Sequence, residues 1–226
     1  MELVDKLSNR QYIDGEWVES SNKNTRDIIN PYNQETIFTV AEGTKEDVER
    51  AILAARRSFE DGEWSLETSE VRGKKVRAVA DKIKENREEL AKLETLDTGK
   101  TLEESYADMD DIHNVFMYFA GLADKDGGEM INSPIPNTES KIVKEPVGVV
   151  TQITPWNYPL LQASWKIAPA LATGCSLVMK PSEITPLTTI RVFELMEEVG
   201  FPKGTINLVL GAGSEVGDVM SGHEEV

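Results

Sequence analysis

Cysteine and histidine are scarce here. The 226 residues hold one cysteine, Cys175, and two histidines, His113 and His223. A single thiol forms no intrachain disulfide, so a disulfide-stapled fold is excluded. The two histidines have no partners at metal-ligand or triad spacing, and surface positions are expected for both. Basic residues are also short: 24 Lys and Arg against 40 Asp and Glu give a net charge of −16. Such a surface repels nucleic acid and anionic membrane, so neither is expected as a partner. No apolar run approaches the roughly 20 residues of a membrane span. The opening MELVDKLSNRQYIDGEW lacks a signal peptide's apolar core. The cytoplasm is the expected location.

What is present fits an ordinary globular chain, with 39% hydrophobic and 28% charged residues. Residues 10 to 40 are short β-leaning runs broken by Asp14-Gly15, Asn22 and Asn30-Pro31, which predicts hairpin-like strands. At Thr44 the period changes. Thr44 with Asp47 resembles a capping box, followed by Val48, Ala51, Ile52, Ala55 and Phe59 at helical spacing. A second helix carries Val76, Val79, Ala80 and Ile83, and a third runs from Asn86 to near Gly99. Leu102 to Ala120 reads as a helix with Asp108, Asp110 and Asp111 on an acidic outer face and Ile112, Val115, Phe116 and Phe119 inside. Lys141 to Glu145 reads as an exposed strand.

From Val147 the texture becomes a βα alternation. Strands are predicted at 148–154, 175–180 and 205–210, each followed by a helix. The second of these helices has Pro186 in its first turn and Gly200 just past its end. This order predicts a parallel sheet with right-handed crossovers. Ligands bind such sheets beyond the carboxyl ends of the strands, here TPWNYP, KPSE and GAGSEVG.

Each loop has a chemical reading and a plainer one. Gly211-Ala-Gly213-Ser-Glu-Val-Gly217 is one residue too long for the GxGxxG fingerprint and reads equally as a turn for close helix–strand packing. In Thr154-Pro155-Trp156-Asn157-Tyr158-Pro159, two prolines stiffen a junction that holds the Asn157 amide. A rigid neutral donor there suits an oxyanion developing on a carbonyl carbon. Asn is equally a preferred helix N-cap. Tyr158 and Trp165 lie two turns apart on one helix face and could line one pocket for a quaternary ammonium, where cation–π attraction is worth about 2 kcal/mol when desolvated. Core packing is the commoner fate of such rings. Lys166 beside them reads as a snorkelling lysine or a charge near the site. Lys180 and Glu183 in Lys180-Pro181-Ser182-Glu183 have donors and acceptors for ribose or phosphate oxygens.

TPWNYP followed by WKIAPALATGC and VMKPSEITPLT resembles the aldehyde dehydrogenase family, as do LETLDTGK (93–100) and IINPYNQE (28–35). The similarity covers essentially the whole chain. Tyr158 with Trp165 is similar to the aromatic box of the betaine aldehyde and aminoaldehyde branch. The resemblance implies an α/β fold: an incomplete Rossmann-like parallel sheet with flanking helices, an N-terminal β-hairpin region and an oligomerisation-type hairpin. Residues 1–226 would form the N-terminal part of the NAD(P)-binding domain, with about 124–146 the oligomerisation hairpin.

Roles carried over by resemblance are these. Asn157 would be the oxyanion donor and Lys166 a charge-relay residue. Ile153, Thr154, Pro155 and Trp156 would border the nicotinamide. Lys180, Pro181, Ser182 and Glu183 would hold the adenosine ribose, and Gly211 and Gly213 would admit the cofactor to the backbone. Tyr158 and Trp165 would contact substrate. Asp97, with backbone near Ile28 and Ile29, resembles a monovalent-cation site, for example for K+. The cofactor is expected to be NAD, with NADP the alternative, because a carboxylate at Glu183 repels a 2′-phosphate. The partners expected are a small aldehyde and, in the full-length form, further copies in a homo-oligomer.

The same resemblance implies a cysteine nucleophile that forms a thiohemiacetal, a glutamate general base, and a second glycine loop. All three are expected beyond Val226, with the catalytic domain. Cys175, opening a buried strand, is expected to be a small core hydrophobe. A catalytically inactive nucleotide-binding or interaction fragment is the alternative. A self-contained Rossmann oxidoreductase is disfavoured by the spacing of the glycine loop. A truncated sheet with an unpaired edge strand is expected to make the isolated chain poorly soluble.

Overall fold

A computed structural model describes residues 3–125 and 127–226. Strands β1 (Gln11–Ile13) and β2 (Glu16–Val18) form a hairpin. Its turn residues Asp14 and Gly15 have φ of 55° and 80°, both positive as a type I′ turn requires. β3 (Thr25–Ile29) and β4 (Thr36–Ala41) pair separately. Helices α1 (Lys45–Asp61), α2 (Ser69–Glu85), α3 (Arg87–Thr98) and α4 (Leu102–Leu122) follow. The Thr44–Asp47 capping box opens α1 as expected, and Gly62 closes it in the left-handed conformation. β5 (Glu129–Asn132) and β6 (Glu139–Ile142) make an exposed hairpin, so of the segment 141–145 only Lys141 and Ile142 are strand.

The second half alternates as predicted: β7 (Val149–Ile153), α5 (Pro159–Thr173), β8 (Ser176–Lys180), α6 (Leu187–Val199) and β9 (Ile206–Leu208). A π-helical turn (Gly213–Gly217) leads into α7 (Asp218–Gly222). β7, β8 and β9 are parallel, and all five residues of β8 are buried. A strand covered on both faces reads as a continuous apolar run. Leu177 and Met179 face the large core with α2 to α6, while Val178 faces a smaller one with Val48, Ile52 and Met220. Alternation along β8 thus divides the core between the two sides of the sheet.

The sheet order is β2-β1-β9-β8-β7, so the N-terminal hairpin extends the parallel sheet. Two buried amides make that join. Asn207 Oδ1 accepts from Asp14 N–H at 3.0 Å, and its Nδ2 donates to Leu177 O at 3.1 Å and Gly204 O at 2.7 Å. Gln11 Oε1 accepts from Leu210 N–H at 3.2 Å. β7 is left as an edge, as expected.

Four other local expectations are corrected. Asp108 is buried, because helical spacing sets it one turn before Ile112 on the inner stripe, and it binds Lys100. Pro186 is the N-cap of α6 rather than a first-turn residue, and the free N–H of Leu187 is taken by Asp97 Oδ2 at 2.8 Å. The two histidines are half-buried. His113 Nδ1 lies 3.0 Å from Ala80 O, and His223 Nε2 lies 2.8 Å from Glu49. The strand expected to open at Cys175 begins at Ser176 instead, with Cys175 buried, as expected, just before it.

Replacing Asn207 by Ala strands three backbone groups, at Asp14, Leu177 and Gly204, the first two of them on other segments of the sheet. We expect a loss of about 2–4 kcal/mol, measured as a lowered urea midpoint. An unchanged midpoint would contradict the role given to this amide.

Candidate functional site

The carboxyl ends of β7, β8 and β9 meet at one edge of the sheet because their register is parallel: Ile153 pairs with Lys180, and Met179 with Leu208. Ties continue beyond the strands. Thr154 N–H donates to Lys180 O at 3.1 Å, Val209 N–H to Met179 O at 2.9 Å, and Thr185 Oγ1 to Trp156 O at 3.3 Å. The structure therefore brings 153–157, 180–183 and 211–213 together.

In the first loop, Thr154 is buried with no hydrogen-bond partner for its Oγ1, while Ile153, Pro155, Trp156 and Asn157 are exposed. Tyr158, not Asn157, is the N-cap of α5, and it makes no side-chain cap. The N-cap reading of Asn157 therefore falls. Its amide has no hydrogen bond among the described residues. The first N–H groups of α5 lack helical partners at the same end.

In the second loop, Lys180 is almost wholly buried, and its Nζ donates to Pro181 O at 2.8 Å and Glu183 Oε2 at 3.2 Å. Burial lowers the Lys180 pKa, opposed by the Glu183 charge. For Glu183, burial acts to raise the pKa. Hydrogen bonds from its own N–H, Lys180 and the Gly213 N–H outweigh it and hold the carboxyl below its usual value. Pro181 is buried and Ser182 nearly so. An ionised carboxylate thus stands between the second and third loops.

Two residues that the local motifs did not reveal complete this corner. Arg26 binds Glu42 through Nε at 2.5 Å and Nη2 at 2.7 Å, and Glu42 Oε1 accepts from Ala212 N–H at 3.2 Å. The β3–β4 hairpin register could have signalled the pair, since Thr25 faces Ala41. The glycines divide by role. Gly211 has φ of 137°, and a Cβ there would lie 3.0 Å from Gly43 O and 3.2 Å from Val216 Cγ1. Backbone geometry alone demands it. Gly213 faces open space, with nothing within 4 Å of an added Cβ. The π-helical turn from Gly213 absorbs the extra residue that spoils the fingerprint.

Trp165 lines a groove of about 500 Å³ between α4 and α5, with Asp111, Tyr118, Phe119 and Leu161. Tyr158 is not among its lining residues. Its ring instead lies over the Lys100 ammonium, 4.2 Å from the centroid. Within this chain the two rings therefore make different contacts, Trp165 at the α4 groove and Tyr158 over Lys100. Lys166 is half-buried and donates to Gln162 O at 3.3 Å on its own helix.

Beneath this loop lies a buried charged cluster. Lys100 Nζ is 2.5 Å from Asp108 Oδ2 and 3.7 Å from Glu94 Oε1, and Glu94 Oε2 accepts from Thr188 Oγ1 at 2.6 Å. Asp97 is buried nearby in sequence, and its Oδ1 has no partner. An added Cβ at Gly99 would meet Pro31 Cγ at 2.8 Å, so the end of α3 packs against the segment just after Ile28 and Ile29. Ile28 is buried and Ile29 exposed. Among the described residues, no group of three His, Cys, Asp or Glu side chains could hold a metal ion.

Fold and loops are those of the dinucleotide-binding class of α/β proteins. The chain belongs to the aldehyde dehydrogenase family, whose model matches residues 17–226. It is 64% identical over 220 residues to a betaine aldehyde dehydrogenase of Bacillus subtilis, covering 97% of this chain and 45% of that protein. It is 46% identical to the peroxisomal aminoaldehyde dehydrogenase 1 of Pisum sativum, over 97% of this chain and 45% of that protein. A crystal structure of betaine aldehyde dehydrogenase from Staphylococcus aureus in complex with NAD+ superposes with a TM-score of 0.99 at 91% identity. That match covers 100% of this chain and 45% of the other. The chain thus spans about half the length of the relatives it matches.

Burial pushes the Glu94 carboxyl up to about 7, against the Thr188 hydrogen bond and the Lys100 charge. Burial likewise raises Asp97. A raised folded pKa means that the fold binds a proton the unfolded chain has released. Stability is then greatest below the ordinary value of 4.5 and falls as pH rises towards about 7. We expect the urea midpoint to drop between about pH 5 and about pH 7.5, and to drop less in Glu94→Gln. Equal slopes in the two proteins would show that Glu94 is not the titrating group.

Proposed function

We propose that this chain supplies the cofactor and oxyanion side of an NAD-dependent aldehyde dehydrogenase acting on betaine aldehyde to give glycine betaine. The observation that carries the reading is the Asn157 amide, exposed between Pro155 and Pro159 at the sheet edge and unbonded among the described residues. A neutral donor held before the reaction stabilises an oxyanion without reorganising. The Bacillus subtilis and Staphylococcus aureus relatives support the substrate class, and the latter's complex supports NAD+.

In this reading Glu183 accepts from ribose hydroxyls, and Lys180 holds that carboxylate in place with Pro181 and Ser182. Ile153, Thr154, Pro155 and Trp156 border the nicotinamide half. The open space over Gly213 fits an occupant at this edge. NAD+, when bound, supplies the hydride acceptor. The ionised Glu183 disfavours a 2′-phosphate, so NADP is the poorer cofactor. Trp165 and Tyr158 present apolar surface to a trimethylammonium head, and Lys166 lies behind them as the relay. The unpartnered Asp97 oxygen, with the backbone of Ile28 and Ile29, fits a monovalent cation such as K+. The β5–β6 hairpin, with Met130, Ile131 and Ile142 exposed, would pair copies in a homo-oligomer.

The nucleophile is not Cys175, which is 3% exposed in the core. That burial also favours a second reading, a nucleotide-binding chain without activity of its own. Titrating the chain with NAD+ and assaying aldehyde oxidation, alone and with the remainder of a full-length relative, separates the two. Binding with oxidation only in the joined protein supports the first, and binding with no oxidation in either supports the second. No binding removes both.

Two variants test the parts. Gly213→Val should keep its melting temperature but weaken NAD+ by at least about tenfold, whereas Gly211→Ala should lose about 1–3 kcal/mol of stability. The reverse pattern would exchange the roles given to the two glycines. In the full-length enzyme, Asn157→Ala should lower kcat by about 10²–10³ with little change in KM. A kcat within a few-fold of the parent would refute the oxyanion role.

A further inference from the structure

Lys100 is 12% exposed, and its charge is met by Asp108 at 2.5 Å and Glu94 at 3.7 Å. Its ammonium nevertheless lies 4.2 Å from the centroid of Tyr158, a ring whose residue is 43% exposed. One face of the ring is therefore held against a fixed, buried cation, and the rest of it opens to solvent. Tyr158 carries no side-chain cap, and its hydroxyl has no hydrogen bond among the described residues, so this contact is what orients the ring.

We propose that Lys100 is a positioning residue for substrate specificity: anchored by Asp108 and Glu94, it fixes the Tyr158 ring so that the open face meets a cationic substrate head group. The proposal rests on the reading of Tyr158 as a substrate-facing ring. A lysine left unpaired would repel such a substrate, and Asp108 offsets that charge. An exposed aromatic ring otherwise samples rotamers, and fixing it beforehand removes an ordering cost from binding.

The test is a pair of aldehydes of the same shape, betaine aldehyde and its uncharged isostere tert-butylacetaldehyde, oxidised by the full-length enzyme. Lys100→Met with Asp108→Asn removes the cation without leaving a buried charge unpaired. Its expected effect is a KM for betaine aldehyde raised about five- to tenfold, with the isostere changed less than about twofold and kcat for both nearly kept. Lys100→Arg keeps the charge and should keep the preference, and a preference lost there would overturn the proposal even if the double variant does not fold. Equal shifts for both aldehydes, or none, would reduce Lys100 to a structural residue. Tyr158→Leu separates the two levels. If it abolishes the preference while the double variant does not, the proposal alone fails; if it leaves the preference intact, the substrate reading of Tyr158 fails and takes the proposal with it.

Discussion

Strand β8 is buried on both faces and pairs in parallel with β7 on one side and β9 on the other. Parallel pairing sends three strands out of the core at the same edge and obliges each to turn there into a helix or a loop. The polar backbone at those turns must find partners, and it does so across the loops rather than within them. Thr154 N–H reaches Lys180 O, Thr185 reaches Trp156 O, and Gly213 N–H reaches Glu183. The candidate site is what remains open once those bonds are made: the Asn157 amide and the space above Gly213.

Charge is handled differently at the edge and below it. At the edge, Glu183 stays ionised because Lys180 and backbone N–H groups point at it. Below, Glu94 and Asp97 sit so deep that burial favours their neutral forms. Lys100 and Asp108 pair beside them, and the long-range bond from Leu187 to Asp97 caps α6. The raised carboxyls make the fold less stable at neutral pH than in mild acid, and Lys100 links the cluster to the Tyr158 ring.

Much of this was legible in the sequence. Helical spacing of apolar residues located α1 to α4, and the βα alternation with its glycine and proline boundaries located α5, α6 and the three parallel strands. The TPWNYP, KPSE and glycine loops were found because strand ends in parallel sheets bind ligands, and they do converge. What local reading missed depends on distant partners. Asn207 and Gln11 join the N-terminal hairpin to β9 through bonds spanning nearly the whole chain. Arg26 and Glu42 reach the glycine loop from another sheet. Asp108 carries a charge on the inner stripe of α4, and its partner Lys100 lies in the connection before that helix. Tyr158 and Trp165 share a helix side, but Lys100 claims one ring and the α4 groove the other.

The central claim is that three loops, already tied to one another, make a preformed nucleotide site at this edge. Backbone amide NMR of the chain during NAD+ titration tests it most directly. The account predicts shifts concentrated at 153–157, 180–183 and 211–213, with the rest of the sheet undisturbed. Shifts absent from these loops, or concentrated on another face of the protein, would contradict it.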